Sequence, residues 1–84
     1  MNPNRVVFSP RYAALKRALP NGETRLGLDL AEEAIIVDPI RRAKRVYRPD
    51  GTIADFAGPD IVVIFTIDDD TLVFLDFLDL TASP

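Results

Sequence analysis

The sequence contains no cysteine and no histidine, and these two absences remove several classes of function. Without cysteine there can be no disulfide framework, no thiolate nucleophile and no cysteine-based metal site. Without histidine, the commonest general base and the commonest nitrogen ligand for metals are missing as well. Any proton transfer would therefore depend on a carboxylate, a tyrosine or a lysine with a lowered pKa. We expect neither a cofactor nor a metal ion.

The sequence also lacks an apolar run of the roughly 18 residues that a membrane-spanning helix needs. The longest candidate, "IVVIFTIDDDTLVFLDFLDL" at residues 61–80, is interrupted by five aspartates. The N-terminus, "MNPNRVVF", has no apolar core of the kind found in signal peptides. We expect a single domain over residues 1–80, a short flexible tail at 81–84, and a cytoplasmic protein without membrane attachment.

Basic residues are absent from the C-terminal part of the chain. Residues 1–48 hold all ten Lys and Arg side chains and five of the thirteen acids, whereas residues 49–84 hold the other eight acids. This asymmetry indicates that the two regions meet partners of opposite charge, with an ordinary solvated surface as the alternative.

Turn and capping residues divide the chain into seven predicted elements. Ser9 and Pro10 mark the start of a helix that Pro20 ends, and Asp38-Pro39 ends a second helix. Strands are predicted on either side of the helix pair, and the turns "PDG", "GPD" and an Asp-rich segment separate them. We interpret the aspartates of that segment as turn residues rather than as ligands of a cation. The predicted strands cover residues 5–8, 45–48, 52–57, 61–67 and 71–80.

The order β-α-α-β-β-β-β predicts an α+β fold, with a curled, mainly antiparallel sheet and a two-helix hairpin on one face. Helical spacing places Tyr12, Leu15 and Leu19 toward the core. In the second helix it favours a stripe that contains Leu26, with Glu32 and Glu33 facing out. The residues predicted to be buried are Leu15, Leu19, Leu30, Ala34, Val37, Val63 and Phe65.

Residues 61–80 are apolar on both faces of their two predicted strands. Two helices on one side cannot cover both faces, and an exposed apolar patch usually marks an interface. We therefore predict a protein partner on the second face, with a strongly curled sheet as the alternative. The predicted contact residues are Val62, Ile64, Leu72, Phe74, Leu78 and Leu80.

A basic run precedes and enters the strand after the helices. It suits phosphates or an acidic protein surface, and its alternative role is a solvated strand face. The predicted target-binding residues are Arg41, Arg42, Lys44, Arg45 and Arg48.

Three segments together resemble the RelE/ParE superfamily of bacterial type II toxins. They are "FSPRYAALKRAL", "AIIVDPIRRAKRVYR" and the closing hairpin "IVVIFTIDDDTLVFLDFLDL", and the resemblance spans residues 5–80. It implies a toxin that a cognate antitoxin neutralises, as a heteromer with it or as a homodimer. One branch of the family inhibits DNA gyrase, and the other cuts mRNA on the ribosome.

Carried over by position, the cutting branch's basic residues on the strand after the helices match Lys44, Arg45 and Arg48, with Tyr47 beside them, and the resemblance makes these four the candidate catalytic residues. The arginine that the branch places on the penultimate strand falls on Val62, and residues 77–80 offer no aromatic hydroxyl or base. These departures favour the ParE-like branch, which acts by binding a target such as gyrase. The alternatives are a ribosome-dependent mRNA endonuclease of the RelE type and a non-toxic interaction module of the same fold with a degenerate site.

Overall fold

The structure is a computed structural model that describes residues 4–39, 45–47, 51–56 and 61–80; the side chains of 45–47 and 54–56 are outside the description. The predicted order of elements is confirmed. The elements are β1 (Arg5–Phe8), α1 (Pro10–Ala18), α2 (Glu23–Val37), β2 (Arg45–Tyr47), β3 (Ile53–Phe56), β4 (Ile61–Asp68) and β5 (Thr71–Asp79).

The strands form one five-stranded sheet in the order β1-β5-β4-β3-β2. Strand β1 runs parallel to β5, and the pairs β2–β3, β3–β4 and β4–β5 are antiparallel. Strands β1 and β2 therefore form the two edges, and the longest strands, β4 and β5, lie side by side near the middle. The α+β class and the mainly antiparallel sheet are both confirmed.

Helix α1 begins as its sequence predicts. The Ser9 hydroxyl accepts a hydrogen bond from the Tyr12 backbone N–H at 3.1 Å, and Pro10 takes the first helical position. Such a cap satisfies one of the N–H groups that a helix leaves free at its start. At the other end, the Leu19 N–H donates to the Lys16 carbonyl at 3.1 Å.

Both helices pack on the same face of the sheet and share one core. Val63 and Phe65 are fully buried there, as predicted, whereas Leu15 and Leu19 are only partly buried against it. Tyr12 lies edge-on to Phe77, with ring centroids 5.3 Å apart. The buried members of this core are Tyr12, Leu28, Ala31, Ile35, Ile53, Ile61, Val63, Phe65, Leu72, Phe74 and Phe77.

Helix α2 is rotated from its predicted orientation. Leu30 and Val37 are 58% and 64% exposed, so their predicted burial is wrong, and Leu26 is exposed with them. Ala34 is half-buried. Apolar residues occur on several sides of this helix, and spacing alone does not choose among them. The helix instead buries Leu28, Ala31, Glu32 and Ile35.

A β-bulge interrupts the β4–β5 ladder. Ile64 pairs with Asp76 and Phe65 pairs with Phe74, so Leu75 has no opposite residue on β4. An extra residue in one strand reverses the alternation of faces beyond it. Ser9 holds this point in place, because its backbone N–H donates to the Phe74 carbonyl and its hydroxyl to the Leu75 carbonyl, both at 2.9 Å.

Candidate functional site

The second face of the sheet carries a smaller apolar patch than the sequence predicts. Val62 and Ile64 lie on this face, pack with Leu75, and are only 7% and 9% exposed. Leu78 and Leu80 are both 46% exposed. A role for these residues in binding a partner remains a prediction.

Leu72 and Phe74 do not belong to that face. Both are fully buried in the core under the helices, and their predicted place on the second face is wrong. The bulge at Leu75 is the reason, because strict alternation fails across it. In the folded chain neither side chain is accessible to a partner.

The basic strand lies at the edge of the sheet farthest from β1. Arg45 pairs with Asp55 and Tyr47 with Ile53 in the β2–β3 ladder. The predicted residues Arg41, Arg42, Lys44 and Arg48 lie outside the described part of the chain. The fold therefore places the middle of the basic run on an edge strand, and the roles of its residues remain predictions.

A polar cluster that the sequence did not predict joins the two helices. The buried Tyr12 hydroxyl donates to Glu32 Oε2 at 2.5 Å, and Lys16 Nζ donates to Glu32 Oε1 at 2.8 Å. Lys16 also forms an ion pair with Asp29 Oδ1 at 2.8 Å. The helical spacing predicts Glu32 on the outer face of its helix; this prediction is wrong, because Glu32 is 7% exposed.

The cluster has a sequence signal that can be recognised in retrospect. Tyr12 and Lys16 are four residues apart on α1, and Asp29 and Glu32 are three apart on α2. Each pair therefore lies on one face of its helix. Two helices joined by a short turn bring such faces together, and a buried carboxylate needs the partners that they supply.

The surroundings of the cluster hold both α1 donors in their protonated forms. Burial, followed by the hydrogen bond to Glu32, raises the pKa of Tyr12 well above its usual range. Burial alone would lower the pKa of Lys16, but the hydrogen bonds and charges of Asp29 and Glu32 outweigh it, and the pKa is raised. Neither group is suited to act as a base near neutral pH, which favours a structural role that fixes α1 against α2.

Beside this cluster the surface opens into a depression, which we call the Phe8 groove. It has a volume of about 260 Å³ and lies between the end of β1, α1 and the start of α2. Most of its accessible wall is apolar, and three of the residues that line it are basic. The residues that line it are Phe8, Tyr12, Ala13, Lys16, Arg17 and Arg25.

Within the described ranges, no three acidic side chains are grouped so that they could hold a metal ion. The aspartates at 69 and 70 form the two-residue turn between β4 and β5, and Asp69 takes a positive φ of 55°. Aspartate tolerates this conformation better than most residues. None of the helices in the described ranges is long and apolar enough to cross a membrane.

Comparison of the sequence with family models and with curated proteins finds no match in either case. Comparison with solved structures does find matches. The chain superposes on RelE in the archaeal RelE–RelB complex from Pyrococcus horikoshii with a TM-score of 0.68 and 15% identity, over 94% of this chain and 97% of that chain.

Two further structures are similar. One is the toxin–antitoxin complex RelBE2 from Mycobacterium tuberculosis, with a TM-score of 0.67 and 23% identity over 92% of this chain and 98% of that chain. The other is the E. coli DinJ–YafQ complex, with a TM-score of 0.67 and 18% identity over 94% of this chain and 97% of that chain. The fold is thus that of the RelE and YafQ toxins. The expected ParE-like branch gains no support from these structures.

Proposed function

We propose that this chain is the toxin of a type II toxin–antitoxin system, a cytoplasmic protein held inactive by a cognate antitoxin. The observation that carries the proposal is the match in fold, over more than nine-tenths of both chains, to toxins crystallised with their antitoxins. The three segments that resemble the RelE/ParE superfamily in sequence support it as well, because they extend over most of the residues that the structural match covers.

Of the two actions known in the superfamily, we favour RelE-type cleavage of mRNA on the ribosome over inhibition of gyrase. The similar structures are RelE and YafQ proteins, and none of those compared above is described as a ParE protein. The basic run around β2 supports this choice, since a cleaved phosphodiester needs positive charge on its oxygens. Lys44, Arg45, Tyr47 and Arg48 are the proposed site residues, with Arg41 and Arg42 as further contacts to the target.

The position of β2 suits such a target. In the described part of the sheet, β2 pairs on one side only, with β3. Since no described strand pairs with its other side, we propose that a large partner such as the ribosome with its mRNA approaches there. Val62 replaces an arginine of the cutting branch, so in our proposal the basic run supplies most of the positive charge.

The test is inducible expression in bacteria, with growth, mRNA 5′ ends and DNA breakage measured together. We expect growth to stop, new mRNA ends to appear at translated codons, and DNA to stay intact. The double variant Lys44→Ala/Arg45→Ala should abolish the new ends. Arg5→Ala is the matched control, because it removes an exposed arginine from the opposite edge strand.

Each alternative has its own result in the same experiment. Growth arrest with DNA breakage and intact mRNA would replace the proposed mechanism with the gyrase-inhibiting one. No growth arrest at all, from a chain shown to be folded and expressed, would overturn the toxin proposal and leave the non-toxic interaction module.

A further inference from the structure

The Phe8 groove contains a partly exposed aromatic ring that packs against the buried core. Phe8 is 42% exposed, yet its ring stacks on the buried Phe74 with centroids 5.1 Å apart and an interplanar angle of 10°. Val6, two residues earlier on the same face of β1, is 36% exposed. Two large apolar side chains at the β1 edge of the core thus remain partly exposed.

The size of the groove limits what it can hold. Its volume of about 260 Å³ lies below the range of about 300 to 1,000 Å³ typical of small-molecule sites. The space suits one or two apolar side chains presented by another protein. The Tyr12 ring in its lining packs against the buried Phe74, with ring centroids 5.4 Å apart, so this part of the groove is fixed before a partner arrives.

The three basic residues of the groove differ in how far they are already engaged. Lys16 is held by Asp29 and Glu32. Arg25 donates through Nη1 to the Leu19 carbonyl at 3.3 Å and is half-buried. Arg17 is exposed and makes no ion pair within the residues that the structure describes. Among the described side chains, the rim therefore offers one guanidinium without an ion pair, that of Arg17, and one that is partly engaged, that of Arg25.

We propose that the Phe8 groove binds an acidic segment of a protein partner, which inserts an apolar side chain beside Phe8 and sets a carboxylate against Arg17 and Arg25. An arginine can bind a carboxylate through two parallel hydrogen bonds. The proposal rests on the proposed function, because the partner with this segment is the antitoxin.

RNA suits this surface less well than a peptide does. A nucleic-acid strand needs a row of cations along its backbone and aromatic rings for successive bases. The groove has one exposed ring, that of Phe8, and of its three basic residues Lys16 is already paired with Asp29 and Glu32, while Arg25 is partly engaged by the Leu19 carbonyl. Apolar anchoring with one or two charge contacts is the pattern of peptide recognition in a groove.

The test uses the intact chain, isotope-labelled for NMR, and three probes. The probes are a twelve-residue amphipathic peptide of leucine and glutamate, the same peptide with lysine for glutamate, and a poly(U) RNA of equal length. We expect the acidic peptide to shift the amide signals of Ala13, Arg17 and Arg25 in a saturable way. Shifts from the RNA alone, shifts from the lysine peptide of equal strength, or no shifts at these residues would overturn the proposal.

Two variants with matched controls locate the binding. Ala13→Leu fills the groove, whereas Ala14→Leu adds the same group to an exposed position next to it on α1. Arg17→Glu reverses the free charge, whereas Arg11→Glu makes the same change at a position that pairs with Asp76 and does not line the groove. We expect the groove variants to weaken peptide binding about tenfold or more and the controls less than about twofold.

The growth assay separates this proposal from the proposed function. Because the groove lies at the opposite end of the sheet from β2, Ala13→Leu should still arrest growth. If the wild-type chain arrests growth and Ala13→Leu binds the peptide normally, the groove proposal fails alone. If peptide binding follows the variants but no arrest occurs, the toxin proposal fails while the acidic-segment site stands.

Discussion

The two faces of the central β4–β5 pair are built from similar residues but end in different environments. Toward the helices, Phe65, Leu72 and Phe74 are completely buried. On the other face, Val62 and Ile64 are nearly buried, while Leu78 is almost half exposed. Phe74 and Leu75 are neighbours in sequence and lie on opposite faces. The comparison shows that hydrophobicity alone does not decide which residues form the core; the register of the two strands does.

The largest expected effect tests that division directly. Phe74→Ala should lower the free energy of unfolding by about 3 to 5 kcal/mol, because it removes a ring that contacts three other aromatic side chains. Leu75→Ala, one residue away, should cost less than about 2 kcal/mol, because that side chain is only half-buried. Urea unfolding followed by circular dichroism measures both. Equal costs would mean that the two faces are not distinct.

The next effect concerns the polar part of the core. Glu32→Gln should cost about 1 to 3 kcal/mol, because the buried Tyr12 hydroxyl and the partly buried Lys16 ammonium lose their charged acceptor. Glu33→Gln makes the same change on the exposed neighbour and should stay within about 0.5 kcal/mol. Unfolding in urea measures the pair. A similar cost for both would contradict the buried position of Glu32.

The same cluster predicts the direction of a pH effect. The pKa of Tyr12 is raised in the fold, so above pH 10.0, the ordinary tyrosine value, the unfolded chain loses a proton that the folded chain keeps. The stability that this group contributes is fully present below that pH, and it falls by about 1.4 kcal/mol for each pH unit above it. The raised pKa of Lys16 acts in the same direction.

Tyr12→Phe should therefore flatten the alkaline loss of stability, although it also removes the hydrogen bond to Glu32 and lowers stability near neutral pH. Urea midpoints of the two proteins between about pH 8 and pH 11 provide the measurement, a range that spans the usual tyrosine pKa. A variant whose loss of stability is as steep as that of the wild type would show that Tyr12 titrates normally.

The positions of the elements were predictable because their signals are local. Ser9 and Pro10 begin a helix through one cap and one fixed φ angle, and the structure has that cap. Gly51 takes a positive φ of 87° at the turn where the sequence places a glycine. None of these signals depends on residues distant in the chain, so the sequence is sufficient to locate them.

The orientation of the elements was not predictable, because it depends on distant contacts. The bulge at Leu75 is stabilised by Ser9, which is 66 residues away in the chain. The rotation of α2 follows from the bonds that Glu32 makes to α1, and its many apolar residues allow several faces. For the candidate site, the basic run could be placed on a strand from sequence, but the Phe8 groove could not, since it exists only where β1, α1 and α2 meet.

The smallest effect on stability is expected at the exposed end of the second face. Leu78→Ser with Leu80→Ser should change the free energy of unfolding by less than about 1 kcal/mol, because both side chains are already largely in water. The double variant should instead weaken self-association, because these exposed leucines beside the Val62–Ile64 patch leave water only when the patch is covered by another chain. We expect the wild-type chain to self-associate at high concentration in analytical ultracentrifugation and the double variant to remain monomeric. A wild-type chain that stays monomeric throughout would exclude a second copy of the chain as the partner of this face.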